Sequence, residues 1–101
     1  MNFIKYFKDN SYDRKLEVFG FEYVTKSGDD EDGTLIYSMN LEDKKLHLEI
    51  AYSAWSDDPL YEITLYYLDS QTKDLNNIYS DQSGAFEDAY NDFEQFVLGE
   101  Q

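Results

Sequence analysis

The side chains in this sequence that are best placed to do chemistry are carboxylates, and they fall into three groups. One group lies in the run 27–33, the second lies in the run 53–59, and the third lies near the end of the chain. Their members are Asp29, Asp30, Glu31 and Asp32, then Asp57 and Asp58, then Glu87, Asp88, Asp92 and Glu94. Carboxylates ligate cations, transfer protons or attract basic proteins, so the surrounding sequence has to decide between these roles.

The first group has adjacent carboxylates, as calcium loops do, but its spacing is wrong for an EF-hand. An EF-hand loop with Gly33 at its sixth position requires acids at positions 28 and 39. The sequence has Gly28 and Met39 there. A weak divalent-cation site and a solvated hairpin turn remain, and we expect the hairpin turn without a metal.

The residue types that usually perform catalysis are scarce in this sequence or do not form a recognisable motif. His47 is the only histidine and there is no cysteine, so histidine-based acid–base chemistry would depend on one side chain in a strand. No carboxylate pair of the glycosidase kind stands out among the 22 acids, and a glycine-rich phosphate loop is absent. We therefore expect no enzyme activity, no catalytic residue and no cofactor.

Trp55 is the aromatic residue with two different interpretations. It lies in the loop sequence SAWSDDPLY, beside Asp57 and Asp58. Its ring either closes one end of the core or anchors a partner protein, since tryptophans often dominate interfaces and flanking carboxylates attract basic partners.

The most unusual feature of the composition is its net charge of −14. A chain of this mass has a folded surface of roughly 6,000 Å², so the uncompensated negative charge is dense. Residues 1–26 have five Lys or Arg against four acids, whereas residues 27–101 have three Lys against 18 acids. The negative charge therefore belongs to the last three quarters of the chain.

This charge excludes several partners. The 18% aromatic content could form a stacking platform for single-stranded nucleic acid, but that mechanism requires a basic groove. Acidic surfaces also repel anionic membranes. No apolar run approaches the ~18 residues of a membrane span and no cleavage site is evident at the start, so we expect a cytoplasmic protein that binds neither nucleic acid nor membrane.

The fold is organised around a central hairpin at residues 46–68, with a loop at 53–59. Leu46, Leu48, Ile50 and Tyr52 alternate with polar or small residues, which is typical of a half-buried strand. The second arm has large apolar residues on both faces and is expected to be central in its sheet.

Helices and further strands flank this hairpin. Residues 2–8 have the spacing of a short helix, and a turn is expected at 9–11. Aromatic and β-branched residues predict a strand at 16–25 with a bulge at Gly20. A reversal is predicted at 27–33, a second strand at 34–41 and a turn at 42–44.

The end of the chain has the clearest periodicity. Phe86, Ala89, Tyr90, Phe93, Phe96 and Val97 form one apolar stripe, as an amphipathic helix does. Ser83 is expected to cap this helix and Gly99 to end it. Residues 69–82 are polar and fit a loop, a helical turn or a fifth edge strand.

These elements predict one α+β domain over residues 1–101. Its sheet is a four-stranded antiparallel meander, or a five-stranded one if 69–82 is a strand, with both helices packed on one face. The function we expect is inhibition of a basic, nucleic-acid-handling partner such as a nuclease, by carboxylates that mimic phosphates. Phage anti-restriction and anti-CRISPR inhibitors and nuclease immunity proteins are similar in size and charge alone. The alternative is a non-catalytic assembly module whose acidic surface only confers solubility.

Overall fold

The computed structural model describes residues 1–42 and 44–99. The described chain is α+β, as predicted, with an accessible surface of 6186 Å². Its elements follow one another as α1 (Phe3–Asp9), α2 (Tyr12–Phe19), β1 (Glu22–Gly28), β2 (Asp32–Asn40), β3 (Lys45–Ser53), β4 (Leu60–Leu68), β5 (Leu75–Ser83) and α3 (Phe86–Gly99).

The sheet is an antiparallel meander in which every strand pairs with the next one along the chain, in the order β1-β2-β3-β4-β5. The predicted central hairpin is confirmed, because β3 and β4 pair with Ile50 opposite Ile63 and Leu48 opposite Leu65. Of the alternatives for residues 69–82, the fifth edge strand is correct from Leu75 onward.

The helices cover one face of this sheet. Leu48, Ile50 and Tyr52 are buried on that face, while His47 and Glu49 alternate with them and are only half-buried. We call the side that carries His47 and Glu49 the open face. An antiparallel sheet tolerates this arrangement, since one of its faces can pack on the core while the other meets solvent.

Aromatic rings fill the space between helices and sheet. Phe3 of α1 is fully buried, stacks on Tyr52 with ring centroids 4.5 Å apart, and meets Phe86 of α3 edge-on at 5.0 Å. Phe93 lies in the same core, and the ring of Tyr90 is buried with its hydroxyl unpaired among the described residues. These contacts join α1 and α3 to the end of the sheet where β3 stops and β4 starts.

The strand predicted at 16–25 is confirmed only from Glu22 onward, as the start of β1, because residues 16–19 belong to α2. Tyr12 and Leu16 are buried one helical turn apart on α2. The helix ends in a Schellman motif, in which Phe21 N donates to Leu16 O at 3.0 Å and Gly20 N donates to Glu17 O at 2.9 Å. Gly20 has φ 101° and ends the helix instead of forming a bulge.

The other turns and ends agree more closely with expectation. The predicted reversal at 27–33 exists, but its tip is residues 29–31 and Gly33 already lies in β2, paired with Gly28. Gly33 approaches its neighbours closely, since a Cβ there would lie 2.9 Å from the Tyr52 hydroxyl. The predicted turn at 42–44 includes residue 43, which lies outside the described residues.

The C-terminal helix is confirmed as Phe86–Gly99, with Phe86, Ala89, Tyr90, Phe93 and Val97 buried. Ser83 is the last residue of β5, and its Oγ accepts from Ala85 N at 3.2 Å, one residue before the helix begins. It therefore stabilises the connection into α3 and does not cap the N–H groups of the helix itself.

Candidate functional site: an acidic end of the sheet

The strand directions bring most of the predicted carboxylates to one end of the sheet. Because the meander is antiparallel, the β1–β2 turn, the β3–β4 loop and the connection from β5 to α3 all lie at that end. We call this surface the acidic end. It consists of Asp29, Asp30, Glu31, Asp32, Trp55, Asp57, Asp58, Glu87 and Asp88.

Backbone and side-chain hydrogen bonds hold the β1–β2 turn at this end. Ala54 N donates to Glu31 O at 2.7 Å, and Phe3 N donates to Asp30 O at 2.8 Å. The hydroxyl of Tyr52 donates to Asp29 O at 2.6 Å. The turn is thus attached to α1, to β3 and to the β3–β4 loop, which fixes its carboxylates to the scaffold.

The four carboxylates of the turn differ in whether they already have a hydrogen-bond or ion-pair partner within the protein. Asp29 Oδ1 accepts from the N–H groups of Glu31 and Asp32 at 2.8 and 2.9 Å, and these bonds lower the pKa of Asp29. Asp30 pairs with Lys26 Nζ at 2.8 Å, and Glu31 lies 3.7 Å from the amino group of Met1. Asp29 and Asp30 therefore shape the turn, while Asp32 is exposed at its base.

Trp55 does not close the core, which removes one of the two interpretations of this residue. Its side chain is 63% exposed, and the preceding Ala54 is the buried residue at this position. Asp57 and Asp58 beside it are exposed, and Asp58 N donates to Ser56 Oγ at 3.3 Å. The acidic end therefore presents a large aromatic ring next to two carboxylates.

The acids predicted on α3 lie on its solvent side, opposite the buried stripe. Glu87, Asp88 and Asp92 are exposed and Glu94 is half-exposed. Glu87 and Asp88 lie in the first turn, where the positive end of the helix dipole stabilises negative charge. Asp92 and Glu94 lie one and two turns further along the helix, so they extend the acidic surface away from the end of the sheet.

Asp81 of β5 belongs to this surface and was missed in the sequence. Interaction with the carboxyl of Asp81, with repulsion from Asp88, raises the pKa of Asp92. Burial, together with the negative charges of Asp81 and Asp92, raises the pKa of the Tyr79 hydroxyl to about 12. The signal that could have found Asp81 is the alternation of Tyr79, Asp81 and Ser83, which share one side of β5.

The crowding of Asp81 and Asp92 leads to a prediction about stability and pH. A carboxyl whose pKa is raised by folding stabilises the folded state when protonated, and that contribution is lost as pH rises through the folded pKa. We expect Asp92→Asn to be more stable than the wild type at pH 7, with the advantage shrinking as pH falls through the raised folded pKa of Asp92 and gone below about 4, the unfolded pKa of Asp. Thermal unfolding from pH 3 to pH 8 measures this.

The matched control is Asp57→Asn, which removes the same charge from an exposed residue outside the pair. It should gain less stability at neutral pH than Asp92→Asn. Equal gains in the two variants would mean that general charge repulsion, and not the contact with Asp81, is responsible.

Few cations neutralise the acidic end. Within the described parts of the chain, the ion pairs of Lys or Arg with carboxylates are Lys5–Asp9 and Lys26–Asp30. Only the second belongs to the acidic end. The opposite end of the sheet has charges of both signs, because Lys44, Lys45 and Lys73 lie on or beside its turns. The carboxylates of the acidic end therefore have few cationic partners among the described residues.

Among the described residues, the remaining chemistry-bearing side chains form no metal site, and no helix is able to span a membrane. Across residues 1–42 and 44–99, no group of three or more His, Asp or Glu side chains is placed to hold a metal ion. His47 lies on the open face, with Nε2 3.2 Å from Glu49 Oε1 and its ring beside Tyr66. The described helices include none that is long and apolar enough to span a membrane.

Comparison with protein-family models, with curated proteins and with solved structures finds no match to this chain. What the acidic end can do is therefore inferred from its geometry. It is a negatively charged surface on hydrogen-bonded backbone, and such a surface acts through attraction and steering of positively charged groups.

Proposed function

We propose that this protein is a non-catalytic inhibitor that binds a basic, nucleic-acid-handling protein, such as a nuclease or another DNA-binding enzyme. The carboxylates of the acidic end, continued by Asp92 and Glu94 on α3, occupy the site that receives phosphates in the partner. Inhibition follows from simple occupation, since the partner cannot hold nucleic acid at the same place.

The observation that carries this proposal is the convergence of three separate acidic segments at one end of the sheet. Among the described residues, the cations paired with them are Lys26 and the amino group of Met1. Of the acids in the β1–β2 turn, only Asp30 has a lysine partner. Acids distributed for solubility alone have no reason to meet at one end of the sheet. A patch of one sign raises the rate of encounter with an oppositely charged partner.

The spacing of the carboxylates suits a groove built for phosphates. Carboxylates two residues apart on a strand are separated by roughly 6.6 Å, and those four apart on a helix, such as Asp88 and Asp92, by roughly 6 Å. Phosphates along one strand of DNA advance by about 3.4 Å along the axis per charge and also wind around it. Their separation through space is thus comparable with that of the carboxylates.

Trp55 provides an apolar contact with the partner, in addition to the charge pairs that the carboxylates form. Interfaces derive much of their affinity from a few aromatic or arginine anchors that lose water on binding. An exposed Trp between carboxylates can receive an arginine side chain, which stacks on the ring and pairs with Asp57 or Asp58. The competing function, an assembly module with a merely solubilising surface, would leave these carboxylates without a partner.

The experiment is capture of the partner by the immobilised protein from a native extract, washed first at low and then at high salt. We expect nucleases, polymerases or other DNA-binding proteins to be released at high salt, because screening weakens exposed charge pairs, and we expect the released protein to lose activity when this protein is added back. An eluate without nucleic-acid-handling proteins would contradict the proposal.

A further inference from the structure

An apolar groove lies at the end of the sheet opposite the acidic end, and the proposed inhibition makes no use of it. Its volume is about 310 Å³. Phe21, Leu65 and Val97 are buried and form its floor, while Leu41, Lys44 and Ile78 line it as exposed residues and form its rim. We call this cavity the apolar groove.

An irregularity in the sheet contributes one side of the groove. The pairing of β4 with β5 passes from Leu65 opposite Tyr79 to Tyr66 opposite Asn77, so Ile78 is the extra residue of a β-bulge. Bulges redirect side chains, and here Ile78 joins the lining of the groove on the helix-covered side of the sheet. Ile78 remains 45% exposed and Leu41 remains 41% exposed, so two apolar side chains face solvent at the opening.

Among the described residues that line the groove, Lys44 alone is charged. Its Nζ lies 5.7 Å from the ring centroid of Tyr67, which holds the ammonium group against the sheet. An apolar cavity with one cation at its rim is complementary to a molecule that has an apolar body and an anionic head.

The net charge of −14 opposes an anion, but the acidic end is remote from the groove. A strand of nine residues such as β3 spans roughly 30 Å, whereas the Debye length at physiological salt is about 8 Å. The carboxylates of the acidic end are therefore screened at the groove. The nearer Glu42 is exposed and is not among the lining residues, whereas Lys44 is.

We propose that the apolar groove is a binding site for a small amphipathic anion, whose hydrocarbon body fills the groove and whose carboxylate pairs with Lys44. The volume is at the lower end of the roughly 300–1,000 Å³ found for ligand pockets, which suits a chain of about eight to ten carbons. This site is separate from the acidic end and does not depend on the proposed inhibition.

The experiment titrates the protein with octanoate and with 1-octanol and follows the methyl NMR signals of Leu41, Leu65 and Ile78. Both compounds should shift these signals, because both have the same apolar chain. Lys44→Gln should lower the affinity for octanoate relative to 1-octanol by roughly threefold to fivefold, as expected for one exposed charge pair.

Two further variants make the outcome decisive. Lys45→Gln removes a neighbouring charge that does not line the groove and should leave the ratio of the two affinities unchanged. Ile78→Trp fills the groove from its exposed rim and should weaken both compounds, with thermal unfolding to show that the fold is retained. No shift of the three methyl signals, or the same ratio in Lys44→Gln and Lys45→Gln, would overturn the proposal.

Discussion

Charge reversal at the acidic end is expected to abolish binding of the basic partner, whereas an equal charge reversal elsewhere should leave most of it intact. The test variant and the control variant each replace four exposed acids by lysine, so they have the same net charge. The test set is Asp57, Asp58, Glu87 and Asp88, and the control set is Glu17, Glu22, Glu42 and Asp74.

The size of the effect follows from the coupling energies of charge pairs at interfaces. Close pairs across an interface contribute about 1.5–7 kcal/mol each where they have been measured, so losing two should weaken binding at least about 100-fold, or about 2.7 kcal/mol. The control variant loses only long-range attraction, which salt screens beyond about 8 Å.

The measurement is the dissociation constant of each variant for the captured partner at physiological salt. A thermal unfolding curve accompanies it, since lysine at positions 87 and 88 opposes the dipole of α3 and lowers stability somewhat. If the two variants lost the same affinity, position would not matter, and the acidic surface would act only through its total charge.

Truncation of Phe3 is expected to have the largest effect on stability. Phe3 is completely buried and its ring stacks on Tyr52 and meets Phe86 edge-on. Phe→Ala in a core costs about 3–5 kcal/mol, because the transfer free energy is lost and a cavity remains. Urea unfolding of Phe3→Ala against the wild type measures this difference.

Val18→Ala is the control for this variant, because Val18 lies on the neighbouring helix α2 and is 87% exposed. Its unfolding free energy should change by no more than about 0.5 kcal/mol. A loss in Phe3→Ala as small as that of Val18→Ala would show that α1 is not packed into the core as described.

Packing of Phe3 in the core also stabilises the β1–β2 turn of the acidic end. Its backbone N–H donates to Asp30 O, and its ring packs beside the strand ends that carry the two loops. Loss of the ring should therefore loosen the β1–β2 turn before the rest of the sheet. Hydrogen exchange at Ala54, whose N–H bonds to Glu31 O, is the local measure of that loosening.

The parts of the fold that could be predicted are those in which buried residues recur at the spacing of a regular strand or helix. β3 alternates Leu48, Ile50 and Tyr52 with polar residues, and α3 repeats aromatic residues every three or four positions. Each pattern has only one regular conformation that buries all of its apolar residues together. Their types and approximate limits were therefore correct.

The strand predicted at 16–25 was wrong over residues 16–21, because the aromatic residues of this region lie in three different environments. Phe19 ends α2, Phe21 lies in the connection, and Tyr23 is exposed on β1. Their spacing of two resembles a strand, and the helical pair Tyr12 and Leu16 is too short a pattern to outweigh it. The sequence does not distinguish β5 from a loop or a helical turn for a related reason. An exposed edge strand has few apolar residues, so it shows little alternation of apolar and polar side chains.

The composition of the acidic end could be read from the sequence, but its assembly could not. Asp29, Asp57 and Glu87 are far apart along the chain, and only the order of strands in the meander brings their segments to one end. The contact of Asp81 with Asp92 and the exposure of Trp55 also depend on tertiary packing. No local pattern contains that information.

The most direct test of the account is a competition between this protein and duplex DNA for the captured partner. Fluorescently labelled DNA is bound to the partner, and this protein is added while anisotropy and sedimentation are followed. We predict that the DNA is displaced and that no species contains all three molecules, because carboxylates and phosphates occupy the same site. A stable complex of partner, DNA and this protein would contradict the account.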